Sequence, residues 1–467
     1  MIIPNIPSEH LYRIMAPHAE PYTPSFTTLK SEADVDRVKT PLETIDATLA
    51  FKTPNHIFWW ARTGPQLATL LHHAGYTPSD QYTELLFYAL HIIPSLGPAP
   101  AIDGTLQWKS PQTPDGTPLD LSWEWGLDGK GVIRTSFEPI GPLAGTAADP
   151  SNSYETDRWI RHLESQGLVK GLDLEWYGYF ASSVLPDAAE AQIQRTNKLD
   201  FELAPDAGTF VTRDVDLTKG PIVKMYMFPG LRAQQVGGRT SNLDVVERAI
   251  RGLPKEQFDA LAPDPLLDFL DEATQKWNME VGIFSFDLLK PESSRIKLYT
   301  RAPHTSIEYL MDALTLGGRQ SISMYSEEAF ADLKDFWKIF IGEAPAVLPS
   351  GGKERAGPGF YFTIKAGKPA TPKVYISPAS FCESDAEVLK RLWRFFETRR
   401  KPGKMLEQME KYEKALEEMY GSQFLRDQCD VHFYIGCALE VDQLRVVTYM
   451  CPQILSREDL GRNGQSK

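Results

Sequence analysis

Residues 281–301 read VGIFSFDLLKPESSRIKLYTR, two β-rich runs on either side of a polar, proline-bearing segment, and this pattern predicts a β-hairpin. Four further stretches read the same way: LDLSWEWGLDGKGVIRTSFE at 119–138, GTFVTRDVDLTKGPIVKMYMF at 208–228, GFYFTIKAGKPATPKVYIS at 359–377 and DVHFYIGCALEVDQLRVVTYM at 430–450. Five hairpins supply ten strands. Helical periodicity fills the intervals, at 244–253, 265–277, 306–318, 327–342, 386–400 and 405–421, the last closed by Gly421. Opening helices fall at about 40–100. The order helix, helix, strand, strand recurs about five times, which one closed structure over 1–467 explains more economically than three unrelated domains.

The repeat carries a signature in its second strands, KMY at 224–226, KLY at 297–299 and KVY at 373–375, with Tyr449 in the matching place of the fifth hairpin. Successive tyrosines lie 73, 76 and 74 residues apart. Side chains two apart on a strand share a face, so each Lys points with its Tyr. Arg295 joins Lys297 and Tyr299, and Arg134 with Ser136 takes the comparable strand of the first hairpin. Ten antiparallel strands crossed over by helices can close into a barrel without edges, the helices outside and the polar face lining the lumen. The expected class is α+β, a ten-stranded antiparallel β-barrel of five ααββ repeats. Parity then sends Leu121, Trp123 and Trp125 outward and Asp120, Ser122 and Glu124 inward. The alternative is a solvated sheet face, which the recurrence disfavours.

Arg134, Lys224, Arg295, Lys297 and Lys373 thereby share one enclosed space in a chain of net charge −13. Such crowding calls for an anion, and a diphosphate suits Arg and Lys donors. Aromatic faces beside it would stabilise a developing carbocation and exclude water. The overall acidity argues against nucleic acid, and the longest apolar run, LLFYALHIIPSLGPAPAI, is broken by prolines, so a soluble, cytoplasmic protein without a membrane span is expected. Cys382, Cys429, Cys437 and Cys451 lack metal-ligand spacing and read as packed thiols. No DDxxD motif is present; Asp268, Asp271 and Glu272 fall on an outer helix face, and GGR at 237–239 and 317–319 reads as turns.

FWWARTGPQLATLLHHAGY at 58–76, IIPSLGP at 92–98, FEPIG at 137–141, KMYMFPG at 224–230, RIKLYTR at 295–301 and VVTYMCPQ at 446–453 make the chain resemble the fungal aromatic prenyltransferases related to dimethylallyltryptophan synthase. The resemblance implies a metal-independent transfer of a dimethylallyl group, from dimethylallyl diphosphate as co-substrate, to an aromatic small molecule within the lumen, with no cofactor and as a monomer or homodimer. An indole is the implied acceptor, with tyrosine or another phenol as the alternative. It further implies that Arg134, Lys224, Arg295, Lys297 and Lys373 hold the diphosphate and that Tyr226, Tyr299, Tyr375, Tyr434 and Tyr449 form a tyrosine shield. The family's strand-one acid, usually Glu, is matched by Asp120, with Glu124 on the same face as runner-up. A family arginine is matched by Glu440, which implies either that Arg445 replaces it in holding the diphosphate or that one phosphate contact is missing. In the family a residue near GPGF at 357–360 limits the prenyl pocket; small Gly357 and Gly359 imply room for geranyl diphosphate, unless they only relieve strand crowding. Two readings from other classes stand beside this one, a carrier barrel for aromatic or isoprenoid ligands and a magnesium-dependent terpene cyclase.

Overall fold

In the computed structural model, which describes residues 39–186, 207–214, 220–235, 240–349 and 357–455, all five hairpins form. Their strands are β1 (Leu119–Trp125), β2 (Gly131–Phe137), β3 (Thr209–Asp214), β4 (Ile222–Met227), β5 (Glu280–Asp287), β6 (Ile296–Arg301), β7 (Gly359–Lys365), β8 (Lys368–Ile376), β9 (His432–Leu439) and β10 (Leu444–Met450). Each pairs antiparallel with its neighbours in sequence, and β1 pairs with β10 to close the barrel. The turn after β1 uses Gly129 at φ +90°, a backbone region that favours glycine. The expectation of one domain over 1–467 includes residues outside the described set, as does GGR at 237–239.

Local capping sets the surrounding helices. Pro54–His73 starts on Thr53, whose hydroxyl accepts from the His56 amide, and capping boxes open Pro78–Phe87 (Thr77 with Asp80) and Asn242–Arg251 (Ser241 with Asp244). Met405–Tyr420 ends at Gly421, φ +81°. Among the described residues between β4 and β5 there are four helices rather than two, the extra ones being the short Gly230–Gln235 and Lys255–Leu261.

The main core lies between the barrel's outer face and these helices. Trp123 meets Tyr412 at 5.4 Å between ring centroids and Trp125 meets Phe396 at 5.2 Å, so the outward parity of β1 holds. A separate small cluster, Trp108, Ile140, Ala144, Ala207 and Phe228, packs with Phe210 and Ile283 at one end of the lumen. Outside the barrel, Asp385 accepts the amides of Asp430, Val431 and His432 and bonds the buried His432 ring, which reaches Tyr412 at 2.8 Å. That network fixes the start of β9 against the helices Asp385–Thr398 and Met405–Tyr420.

All four cysteines are free; three are buried and Cys429 is half-buried, and burial pushes the Cys382 thiol up to about 12. Asp268 and Asp271 are exposed on Asp264–Trp277, and Glu272 pairs with Arg319 at 2.5 Å. No helix among the described residues is long and apolar enough to cross a membrane.

Candidate active site

The barrel register lines up the lumen residues strand by strand. Asp120 lies opposite Ser136, Ser122 opposite both Arg134 and Tyr449, Lys224 opposite Asp287, Tyr299 opposite Tyr361, and Tyr361 opposite Lys373. The register thus sets Asp120, Arg134, Lys224, Tyr299, Lys373 and Tyr449 side by side with these partners, and ion pairs and ring contacts bring in Glu124, Arg295, Lys297, Arg445, Tyr226, Tyr375 and Tyr434.

The cations do not stand alone there, which corrects the expectation that only a bound anion could balance them. Arg134 pairs with Glu124 at 2.8 Å and with Asp214 at 2.9 Å, and Lys224 pairs with Asp214 at 2.5 Å. Asp287 takes Arg295 at 2.7 Å and Lys297 at 3.0 Å. Arg445 pairs with Glu124 at 2.9 Å and Glu440 at 3.0 Å, so Glu440 serves as its partner. Burial draws the Lys297 ammonium down to about 7 even beside Asp287. Lys373 has no carboxylate at ion-pair distance among the described residues. Its Nζ lies 5.2, 5.6 and 5.9 Å from the ring centres of Tyr375, Tyr361 and Tyr449. Burial pushes its pKa far down, and Arg445 adds to the effect. Gly436 admits this side chain, since an added Cβ would meet Lys373 Cε at 2.7 Å.

The tyrosines form a continuous ring. Centroids are 5.8 Å apart for Tyr226 and Tyr299, 5.9 Å for Tyr299 and Tyr375, 5.8 Å for Tyr375 and Tyr434, and 5.4 Å for Tyr375 and Tyr449. Two members were missed in the sequence. Phe210 stacks on Tyr226 at 4.2 Å, and Tyr361 sits 4.9 Å from Tyr299 and 5.6 Å from Tyr375. Both lie on first strands of hairpins, whereas the KxY signature is a second-strand pattern; period-two counting along FYF would have found Tyr361.

The two candidate acids differ in kind. Glu124 is held below its usual range by Arg134 and Arg445, against its burial. Asp120 has no ion pair among the described residues: Gln112 Nε2 donates to Oδ2, the Ser136 hydroxyl across the ladder also acts on the carboxyl, and burial outweighs both and lifts it to about 7. Asp120 is the acid able to exchange a proton near neutrality.

The glycines near 357–360 do not open the prenyl pocket. An added Cβ would meet Ala302 O at 2.0 Å from Gly357 and Thr300 O at 2.3 Å from Gly359, so both serve close backbone approach, and the bulky lumen residue of that strand is Tyr361. Tyr361→Ala is expected to raise the ratio of geranyl to dimethylallyl turnover by about tenfold or more, within the range for hydrophobic-pocket changes, measured by competition between the two donors. Gly359→Met is expected to lower stability without that shift.

A closed ten-stranded barrel with outer helices, whose lumen sets Arg and Lys beside a ring of tyrosines, is the architecture of an aromatic prenyltransferase. The chain belongs to the tryptophan dimethylallyltransferase family, whose model matches residues 55–415. It is 29% identical to the 7-dimethylallyltryptophan synthase of Aspergillus fumigatus, over 85% of each chain. It is 28% identical to the 4-O-dimethylallyl-L-tyrosine synthase of Claviceps purpurea, covering 85% of this chain and 88% of that one. The crystal structure of AnaPT from Neosartorya fischeri shares the fold, with a TM-score of 0.76 at 23% identity over 89% of this chain and 98% of that chain.

Proposed function

We propose that this enzyme moves a dimethylallyl group from dimethylallyl diphosphate to a ring of an indole-bearing small molecule, without a metal ion, as a cytoplasmic monomer or homodimer. The observation that carries the reading is the direct adjacency of the basic cluster and the tyrosine ring, joined at Lys373, whose ammonium lies near three of those rings. Arg134, Lys224, Arg295, Lys297, Lys373 and Arg445 receive the diphosphate. As its C–O bond breaks, the electron pair stays on the diphosphate oxygen and the allyl cation faces Tyr226, Tyr299, Tyr361, Tyr375, Tyr434 and Tyr449. The acceptor's π electrons then form the new carbon–carbon bond. Asp120 accepts a hydrogen bond from the ring N–H and helps remove the proton that the ring gives up.

The metal-free part of the reading is supported by the occupied carboxylates. Asp214 and Asp287 already face Lys or Arg on both oxygens, and among the described residues no three His, Cys, Asp or Glu side chains gather as ligands. The tyrosine O-prenylation in the name of the 28% identical relative, together with the short side chain of Asp120, favours a phenol as the second reading. Mass spectrometry of products from dimethylallyl diphosphate and a panel of indoles and phenols, with and without chelator, tests the whole assignment. Loss of turnover on chelation would overturn the metal-free reading, and absence of any prenylated product with diphosphate untouched would overturn the function.

A further inference from the structure

The ladder between β1 and β2 runs one step past Phe137, where the Glu138 amide donates to Pro118 O at 2.9 Å. Glu138 thus follows Arg134 and Ser136 on the lumen face. It is 1% exposed. Its Oε1 accepts from the Trp108 indole N–H at 2.8 Å and from Asn152 Nδ2 at 2.7 Å, while among the described residues Oε2 has no well-formed hydrogen bond, although the buried Ser110 hydroxyl also acts on this carboxyl. Asn152, at φ +51°, is itself fixed by bonds to Pro139 O and from the Gly141 amide.

Asp120 repeats this arrangement, one oxygen held by Gln112 and the other without a well-formed hydrogen bond, with the Ser136 hydroxyl acting on the carboxyl. Because Asp120 lies opposite Ser136, Glu138 is its diagonal neighbour, about 7–8 Å away between Cα atoms. The segment carrying Trp108 and Gln112 holds both acids at the lumen end where Trp108 and Phe228 pack. A fully buried oxygen without a partner is destabilising unless something supplies one. Burial pushes Glu138 up to about 7, and with two donors on Oε1 the proton belongs on Oε2, which can then donate.

We propose that Glu138 is a second acceptor-binding residue, its Oε2 hydrogen-bonding a polar group of the acceptor about one ring away from the group that Asp120 holds. The acceptor class is therefore a fused or substituted aromatic with two hydrogen-bonding groups. The inference rests on the lumen being the prenyl-transfer site, and its test reads binding rather than transfer.

Titration calorimetry compares a naphthalenediol bearing one hydroxyl on each ring with the naphthol that lacks the second. The diol is expected to bind the wild type about tenfold more tightly, the scale of one buried hydrogen bond. Glu138→Leu is expected to bring the two compounds to parity. Glu138→Gln keeps an acceptor for Trp108 and Asn152 and places an N–H where Oε2 stands, so it is expected to retain the preference. Equal affinities in the wild type, or an undiminished preference in a folded Glu138→Leu, would overturn the proposal. If Glu138→Leu fails to fold, the wild-type and Glu138→Gln comparisons decide: the preference in both sustains the proposal, and its absence from either overturns it. Prenylation of either compound is scored separately, so discrimination without transfer would count against the function and not against Glu138.

Discussion

Asp120→Asn is expected to lower transfer by about 10²–10³-fold while leaving the fold and donor binding intact, within the range for losing a positioned proton acceptor. The amide keeps the shape and the contact with Gln112 but cannot take up a proton. Glu124→Gln is expected to act differently. It removes a carboxylate that competes with diphosphate for Arg134 and Arg445, and so is expected to lower the KM for the donor and to strengthen inhibition by diphosphate. The pH dependence separates the two further. Asp120, raised to about 7 by burial, can take up the proton that the ring gives up only when ionised. Acceptor kcat/KM should therefore fall as pH drops through about 7, and Asp120→Asn should flatten that limb at a low rate. A limb that survives the substitution would assign the titration elsewhere, with Glu138 the next group to examine.

Asp287→Asn is expected to lower unfolding free energy by about 3 kcal/mol, because it strands the buried Lys297 without its carboxylate and takes a partner from the half-buried Arg295. Inorganic diphosphate should restore much of the loss by binding the folded state. Denaturant unfolding of wild type and variant, with and without millimolar diphosphate, reads both effects. A deficit that diphosphate leaves unchanged would remove these two cations from the donor site. The sign of the pH effect on donor binding also follows. Lys224, Lys297 and Lys373 all have pKa values lowered by burial, so affinity for diphosphate should weaken as pH rises from about 6 to about 8, as the ammonium near 7 is lost.

The hairpins, the barrel and the basic lumen were legible because parity along a strand is a local property, and the recurrence of KxY in three second strands, with Tyr449 and Arg134 at matching places in two more, aligned all five. Arg134, Lys224 and Lys297 could be placed in this way before any contact was known. Asp214 and Asp287 could not. Each closes its strand singly, at the edge of a loop, where parity gives no recurring signal. Gln112 and Trp108, the partners of Asp120 and Glu138, lie on the irregular segment that precedes β1, and loop geometry of that kind has no period to read. Gly359 shows the opposite error, since a missing side chain suggests space in a sequence but marks backbone contact in the fold.

The carboxylates that share the lumen with the cations also bear on how the enzyme finishes a cycle. The diphosphate that departs carries more charge than the ester it came from, so the cations that pull it off the allylic carbon would grip the free ion harder still. A lumen of six unopposed cations would accelerate the first step and then stall on its own product. Glu124, Asp214, Asp287 and Glu440 compete for Arg134, Lys224, Arg295, Lys297 and Arg445. They stand ready to reclaim those partners one by one as the ion leaves. On the proposed donor site, inhibition by diphosphate is therefore expected to be weaker than six unopposed cations would give, because each departing contact is replaced by a carboxylate already within reach.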